Sequence, residues 1–127
     1  MNSRRGLSIM VWSCGPEQAE QAATPFVIAQ AAAVMDLEVE MLFTARSVHW
    51  LLASEQRTPV GFGPQRQAVA AYLHACAQAG VTMRACGQAL AALGASPGAL
   101  APQCRGAGGT VAFVERTQDP RWGTVVF

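Results

Sequence analysis

Hydrophobic residues along the chain follow two spacings that alternate. Short, nearly continuous apolar runs end at glycine, proline or polar residues, and between them lie longer stretches in which apolar residues recur every three or four positions. The first pattern is typical of a strand buried on both faces and the second of a helix. The pattern predicts strands over residues 7–12, 39–44, 81–85 and 122–127, and helices over residues 18–35, 47–52, 65–79, 87–93 and 110–117.

Strands that alternate with helices across short connections need crossovers, and crossovers give a parallel sheet with helices on both faces. The fold class predicted is therefore α/β. Thr24-Pro25 is expected to kink or divide the first helix, because an internal proline loses a helical hydrogen bond. Residues 58–64, which are rich in glycine and proline, are predicted to form a loop.

The composition points to a partly covered surface. Hydrophobic residues make up 51% of the chain and charged residues 13%, with a mean hydropathy of +0.21. This charged fraction is about half that of an ordinary soluble domain. No apolar run approaches the roughly 18 residues of a membrane span, so another copy of the chain is the expected cover. We predict a homo-oligomer and no contact with a membrane.

The charge pattern argues against nucleic acid as a partner. The net charge is +1, and the arginines are scattered without a basic cluster or interleaved aromatic residues. The opening residues 3–7 superficially resemble a twin-arginine export signal, but the apolar stretch after them is short and no A-x-A cleavage site follows. We therefore expect a cytoplasmic protein.

Four cysteines, at positions 14, 76, 86 and 104, carry the candidate chemistry. They contain no C-x-x-C pair, which disfavours both a redox dithiol and a zinc ribbon. The glycine-rich residues 106–110 lack the lysine of a phosphate-binding loop and do not match the dinucleotide-binding pattern, so a turn is the better interpretation. We predict no metal site and no cofactor.

Cys86 has the most informative position, because it follows the predicted strand 81–85 and precedes a helix. Ligands of open parallel sheets bind outside the carboxyl ends of the strands. Unpaired N–H groups at a helix N-terminus favour a thiolate over a thiol. Arg84, two residues earlier, is expected to project to the same side and to lower the pKa of the Cys86 thiol further.

The other candidates have less support. A free cysteine is commonly a small buried hydrophobe, and Cys76, on the apolar side of its helix, fits that interpretation. Cys14 follows the first strand and Cys104 precedes the glycine-rich segment, so either is a candidate second thiol. His49, just after the second strand, is a candidate pocket residue. Cys86 itself can also be interpreted as merely packed.

The order of these segments resembles that of the DsrE/DsrF-like superfamily, small proteins of sulfur relay and sulfur oxidation that include the TusD type of sulfur-carrier subunit. The resemblance covers nearly the whole chain, apart from the loop at residues 57–64. It rests on an alanine-rich first helix and on IMVWS (9–13), GPE (15–17), EVEMLFT (38–44), SV (47–48), AGVTMRACG (79–87), GAGGTVAFVE (106–115) and WGTVVF (122–127).

The resemblance implies one domain over residues 1–127, a three-layer α/β/α arrangement around a mainly parallel sheet of about five strands. It also implies assembly into trimers or hexamers. In active members of the superfamily, a cysteine after the third main strand carries a persulfide and passes its outer sulfur to a partner protein. The matching residue is Cys86, with Arg84 and the backbone N–H groups of Gly87 and Gln88 as expected supports.

The hypothesis from the sequence is therefore a sulfur carrier or sulfurtransferase with a single persulfide cysteine and a sulfur-acceptor protein as partner. Two alternatives stay open. One is a non-catalytic oligomeric protein that binds a small ligand or regulates another protein. The other is a thiol-based redox protein in which Cys86 pairs with Cys14 or Cys104.

Overall fold

Four parallel strands form the central sheet of the protein, which a computed structural model describes over residues 5–127. Ser3 and Arg4 of the export-like opening therefore lie outside the described residues. The strands are β1 (Gly6–Val11), β2 (Glu38–Phe43), β3 (Pro59–Val60), β4 (Gln67–Ala68), β5 (Thr82–Ala85) and β6 (Trp122–Val126). The central sheet has the order β5-β2-β1-β6, and β3 and β4 form a separate antiparallel pair.

Four α-helices and several short turns of 3₁₀ helix connect the strands. The helices are α1 (Ala23–Val34), α2 (Val69–Gln78), α3 (Gly87–Ala92) and α4 (Thr110–Thr117). The 3₁₀ segments are Pro16–Gln18, Ala45–Leu51, Ala53–Glu55 and Pro97–Ala99. The predicted α/β class and the parallel sheet are confirmed, and each predicted sheet strand agrees with an observed strand to within one residue.

Two predicted helices begin later than the hydrophobic pattern indicated. The helix predicted from residue 18 starts at Ala23, so Pro25 lies in its first turn, where the backbone N–H groups have no intrahelical partner anyway. The helix predicted from residue 65 starts at Val69, because the two residues before it pair with β3. Strands of two residues are too short to leave a periodic signal in the sequence.

Among the described residues the central sheet has four strands, against the five or so that the resemblance implied, and an irregular segment lies beside its β5 edge. Residues 105–108 lie along the free edge of β5, and three backbone hydrogen bonds hold them there. The N–H of Arg105 donates to the Met83 carbonyl at 2.8 Å, that of Ala85 to the Gly106 carbonyl at 3.1 Å, and that of Gly108 to the Ala85 carbonyl at 2.8 Å. Gly106, Gly108 and Gly109 have φ angles of 107°, 117° and 107°. Residues with a side chain rarely adopt such angles. The segment therefore delivers the start of α4 to the carboxyl end of β5.

The main core lies between one face of the sheet and helices α1 and α2. Ile9, Met41 and Met83 are fully or almost fully buried on this face. Phe26 of α1 stacks on Phe43 of β2 with ring centroids 5.5 Å apart. This apolar layer fixes which side chains of each strand point inward, and their neighbours in sequence point to the opposite face.

The opposite face of the sheet is more polar and is covered by α4. Arg116 of α4 donates to both carboxylate oxygens of Glu40 on β2, at 3.0 and 2.8 Å. Its guanidinium carbon also lies 4.0 Å from the ring centroid of Trp122. Both side chains of the ion pair are about three-quarters buried, so the pair anchors α4 to the sheet.

Ala45, directly after the end of β2, has a φ angle of 51°. This left-handed conformation is uncommon for a residue with a side chain, because the Cβ atom approaches the following carbonyl oxygen. Ala45 is exposed, so its methyl group gains nothing from burial.

We expect Ala45→Gly to raise the free energy of unfolding by about 1 kcal/mol. The left-handed conformation costs an alanine roughly 1–2 kcal/mol, and the greater freedom of glycine in the unfolded chain offsets part of the gain. The urea midpoint should rise at constant m value. Ala53→Gly is the matched control, since Ala53 is exposed and has no positive φ, and it should lower the midpoint. Equal losses in both variants would contradict strain at Ala45.

Candidate functional site

The carboxyl ends of β2 and β5 lie side by side in register. Phe43 pairs with Ala85, and the N–H of Cys86 continues the ladder by donating to the Phe43 carbonyl at 2.8 Å. Thr44 and Cys86 therefore occupy neighbouring positions just beyond the two strands. Because Phe43 and Ala85 point into the main core, the next residues on both strands point to the opposite face.

Cys86 is the N-cap residue of α3 and has extended backbone angles, with φ −61° and ψ 124°. Its carbonyl accepts the N–H of Leu90 at 2.9 Å, which closes the first turn of the helix. The residue is partly exposed, whereas Cys14 and Cys76 are buried. The thiol therefore stands at the sheet edge where the sequence placed it, within reach of a reagent from solution.

The pKa of the Cys86 thiol is lowered, chiefly by hydrogen bonding with the side chain of Thr44. Partial burial opposes this effect. The backbone N–H groups of Ala89 and Gln88 and the side chain of Thr110 lower the pKa further. The sulfur of the neutral thiol accepts no cap hydrogen bond from the N–H groups of α3, so these N–H groups act on the charged form. The site favours a thiolate by means of neutral donors.

Gly87 and Gln88 were the expected N–H donors to Cys86. The N–H groups that lower the pKa of its thiol are those of Gln88 and Ala89. The reason is geometric, since an N-cap side chain faces the second and third N–H groups of its helix. Arg84 is not among the groups that lower the pKa. Its Nη1 atom lies 3.5 Å from the carbonyl oxygen of Arg105 instead.

Thr44 and Thr110 were missed as site residues, although the sequence contained a signal for each. Thr44 ends a predicted strand, and Thr110 begins a predicted helix after a glycine-rich turn. Both are therefore at the edge of the sheet where ligands bind. What the sequence did not show is that β2 and β5 are neighbours and that residues 105–108 bring α4 to the same corner.

The other three cysteines lie in different surroundings, and none shares a partner with Cys86. Burial raises the pKa of the Cys14 thiol, that of Cys104 to about 11 and that of Cys76 to about 12. Their thiols lie 3.7–3.9 Å from the backbone carbonyls of Gln21, Leu51 and Phe26. A thiolate at any of these positions is disfavoured.

The structure does not bring Cys14 or Cys104 to the Cys86 thiol. Strand β2 lies between β1, which leads to Cys14, and β5, which leads to Cys86. The Cys14 thiol points toward the carbonyl of Gln21. The Cys104 thiol points toward the carbonyl of Leu51. The geometry gives no support to a disulfide at the Cys86 site.

His49 lies in the 3₁₀ helix after β2, and its Nε2 is 3.0 Å from a carboxylate oxygen of Glu55. It borders an open groove of about 500 Å³ together with Arg46 and the outer side of α3. His49 is thus close to the helix that Cys86 caps but is not among the groups that act on its thiol.

Within residues 5–127, no group of three histidine, cysteine or acidic side chains could hold a metal ion. In the same part of the chain, no helix has the length and apolar character needed to cross a membrane.

Comparison with known proteins relates this arrangement to one family. The model of the DsrE/DsrF-like family matches residues 8–115. The ychN protein from E. coli has a similar structure, with a TM-score of 0.74, 16% identity, and coverage of 96% of this chain and 99% of that one. The protein MTH1491 from Methanobacterium thermoautotrophicum, described as of unknown function, has a TM-score of 0.61, 14% identity, and coverage of 98% and 100%. No curated protein sequence matches the chain. At these identities, the similarity of the two structures to this chain shows a common fold and nothing more.

We expect Thr44→Val to slow alkylation of Cys86 by iodoacetamide at pH 7 by roughly three- to tenfold, the scale of one hydrogen bond of about 1 kcal/mol. The reason is that iodoacetamide reacts with the thiolate, whose fraction falls when the pKa of Cys86 rises. Thr110→Val should also slow the alkylation of Cys86, but by a smaller factor. Rates are followed by mass spectrometry over a pH series.

In that pH series, the alkylation rate of Thr44→Val should reach half of its limiting value at a higher pH than that of the native protein. The limiting rate at alkaline pH should stay the same. Arg84→Gln is the control and should leave the midpoint unchanged. A shift in Arg84→Gln with none in Thr44→Val would contradict this account of the thiolate.

Proposed function

Because the chain belongs to the DsrE/DsrF-like family, we propose that it is a sulfur carrier or sulfurtransferase that holds a persulfide on Cys86. The observation that supports this most is the contrast among the four thiols. Cys86 is partly exposed and has a lowered pKa, whereas burial raises the pKa of each of the other three. A sulfur carrier needs one reactive thiol, and the other cysteines are unsuited to compete with it.

In the proposed reaction, the Cys86 thiolate attacks the outer sulfur of a persulfide donor, R–S–SH. The bond between the two donor sulfurs breaks, R–S⁻ leaves with the electron pair, and Cys86 becomes Cys86–S–SH. An acceptor thiolate then attacks the outer sulfur of this persulfide, and the Cys86 thiolate leaves. The transfer changes no net oxidation state and uses no cofactor.

The groups around Cys86 suit both steps of this transfer. In the first step Thr44, Thr110 and the two N–H groups stabilise the attacking thiolate. In the second they stabilise the same thiolate as leaving group, and a thiol of lower pKa leaves faster. The proposal further includes a sulfur-acceptor protein as partner and a reducing compartment such as the cytoplasm, where the thiols stay free.

We propose that the protein assembles with further copies of itself through the outer surface of α1. This helix contains no charged residue, whereas a solvated helix normally has a polar outer face. The exposed surface of α1 and its C-cap is instead formed by Thr24, Val27, Ile28, Ala31, Val34 and Met35, with Val34 82% exposed. A second copy supplies a matching apolar surface, and assembly into trimers or hexamers would account for the low charge of the chain.

Incubation of the reduced protein with thiosulfate, polysulfide or glutathione persulfide should add about 32 Da per sulfur to its intact mass, reversibly with reductant. Cys86→Ser should gain nothing. Cys104→Ser is the matched control and should load as the native protein does, because the raised pKa of the Cys104 thiol keeps it protonated.

Two results would count against the proposed function. Equal loading of Cys86→Ser would place the sulfur on another residue. A folded native protein that gains no mass with any of these donors would favour the non-catalytic binding alternative.

Val34→Glu should convert the native oligomer into a monomer in light scattering coupled to size-exclusion chromatography, since it places a charge inside the proposed contact. Val114→Glu, at an exposed valine of α4, is the control and should leave the mass unchanged. A native monomer, or an oligomer that survives Val34→Glu but not Val114→Glu, would refute assembly through α1.

A further inference from the structure

Trp12 stands in the same cross-strand row as Thr44 and Cys86. The N–H of Thr44 donates to the Val11 carbonyl at 2.9 Å, as that of Cys86 donates to the Phe43 carbonyl. Trp12 directly follows Val11, which pairs with Phe43. Trp12, Thr44 and Cys86 are therefore successive neighbours across β1, β2 and β5.

The side chains of this row share one face of the sheet. The preceding row, formed by Val11, Phe43 and Ala85, is buried in the main core, so alternation directs the next row to the opposite face. Neighbouring strands are about 4.8 Å apart, which places the Trp12 backbone about 10 Å from that of Cys86. A group bonded to the Cys86 sulfur, or approaching it over Thr44, lies on the same face of the sheet as the Trp12 side chain, about two strand spacings away.

Trp12 differs from the other two tryptophans of the chain in its exposure. Its relative exposure is 54%, whereas Trp50 and Trp122 are at 1% and 4%. An exposed indole offers a flat apolar surface on which planar or apolar groups pack favourably. The residue adds little to the core and is available for contact with a ligand.

The charges around Cys86 indicate which ligands suit the site. Among the described residues, the groups that lower the pKa of its thiol are hydroxyls and backbone N–H groups, with no cationic side chain. The Arg84 guanidinium lies against the Arg105 carbonyl. Thiosulfate carries two negative charges and gains most from cationic partners, which this row does not supply.

We propose that Trp12 is a specificity-determining residue that selects organic persulfides of low molecular weight over inorganic sulfur anions. The organic group R of R–S–SH lies against the indole while the outer sulfur meets the Cys86 thiolate. The bond between the donor sulfurs breaks, the outer sulfur forms a bond to Cys86, and R–S⁻ leaves. This inference rests on the proposed function of Cys86.

The test compares native protein, Trp12→Ala and Trp12→Phe with two sulfur donors, benzyl persulfide and thiosulfate, by intact mass. Native protein should load faster from benzyl persulfide. Trp12→Ala should slow that loading by about two- to tenfold, the scale of one aromatic contact, and should change loading from thiosulfate less than twofold. Trp12→Phe should keep most of the native rate.

A second pair of reagents reports on the Trp12 contact without any persulfide. The Cys86 thiolate attacks dipyridyl disulfide, a neutral aromatic disulfide, forming a mixed disulfide and releasing a pyridinethiolate. Iodoacetamide is the small non-aromatic control. Trp12→Ala should slow the first reaction by about two- to tenfold and leave the second unchanged, with Cys86→Ser supplying the background from other thiols.

Several outcomes would overturn the inference. These are faster loading from thiosulfate than from benzyl persulfide in native protein, an unchanged dipyridyl disulfide rate in Trp12→Ala, and equal slowing of all four reagents. If neither donor loads any sulfur while the disulfide rate still depends on Trp12, the proposed function fails and the contact of Trp12 with groups on Cys86 stands.

Discussion

The register of the parallel ladder is the constraint on which the site depends. Backbone hydrogen bonds align the ends of β1, β2 and β5, so residues far apart in sequence become neighbours in one row. A shift of one residue would turn every side chain of a strand to the other face. The apolar layer against α1 and α2 prevents that shift. The polar surroundings of Cys86 are therefore maintained by burial on the opposite side of the sheet.

The four cysteines of the chain differ in how their surroundings affect the pKa of the thiol. Three cysteines lie where burial disfavours a charge, and the fourth lies where two strands and the starts of α3 and α4 meet. The donors around Cys86 are neutral, so they stabilise the thiolate without adding a positive charge nearby. Under the proposed function, other residues of the row, such as Trp12, determine which donor reacts.

Much of the fold followed from hydrophobic spacing, because buried strands and helices leave periods that local sequence shows. The sheet strands, the α/β class and the position of Cys86 were predicted in this way. Thr44 and Thr110 were not, since their approach to the thiol depends on strand order and on the path of residues 105–108. Arg84 was expected to support the thiolate, because strand alternation fixes the side of the sheet to which a side chain projects. Alternation does not fix the direction of a long side chain, and the Arg84 guanidinium lies against the Arg105 carbonyl instead. The strands β3 and β4 are too short for their hydrophobic residues to show a period in the sequence.

The length of the segment at residues 105–108 affects the pKa of the Cys86 thiol. Its hydrogen bonds to β5 fix where α4 begins, and Thr110 follows only two residues later. One additional residue there would move the Thr110 hydroxyl by up to about 3.3 Å along the chain, and its contribution to the lowered pKa of the Cys86 thiol would be lost. The sheet and the cysteine would remain intact. Insertions and deletions in a surface loop can therefore change the pKa of the thiol at such a site while the cysteine itself stays unchanged.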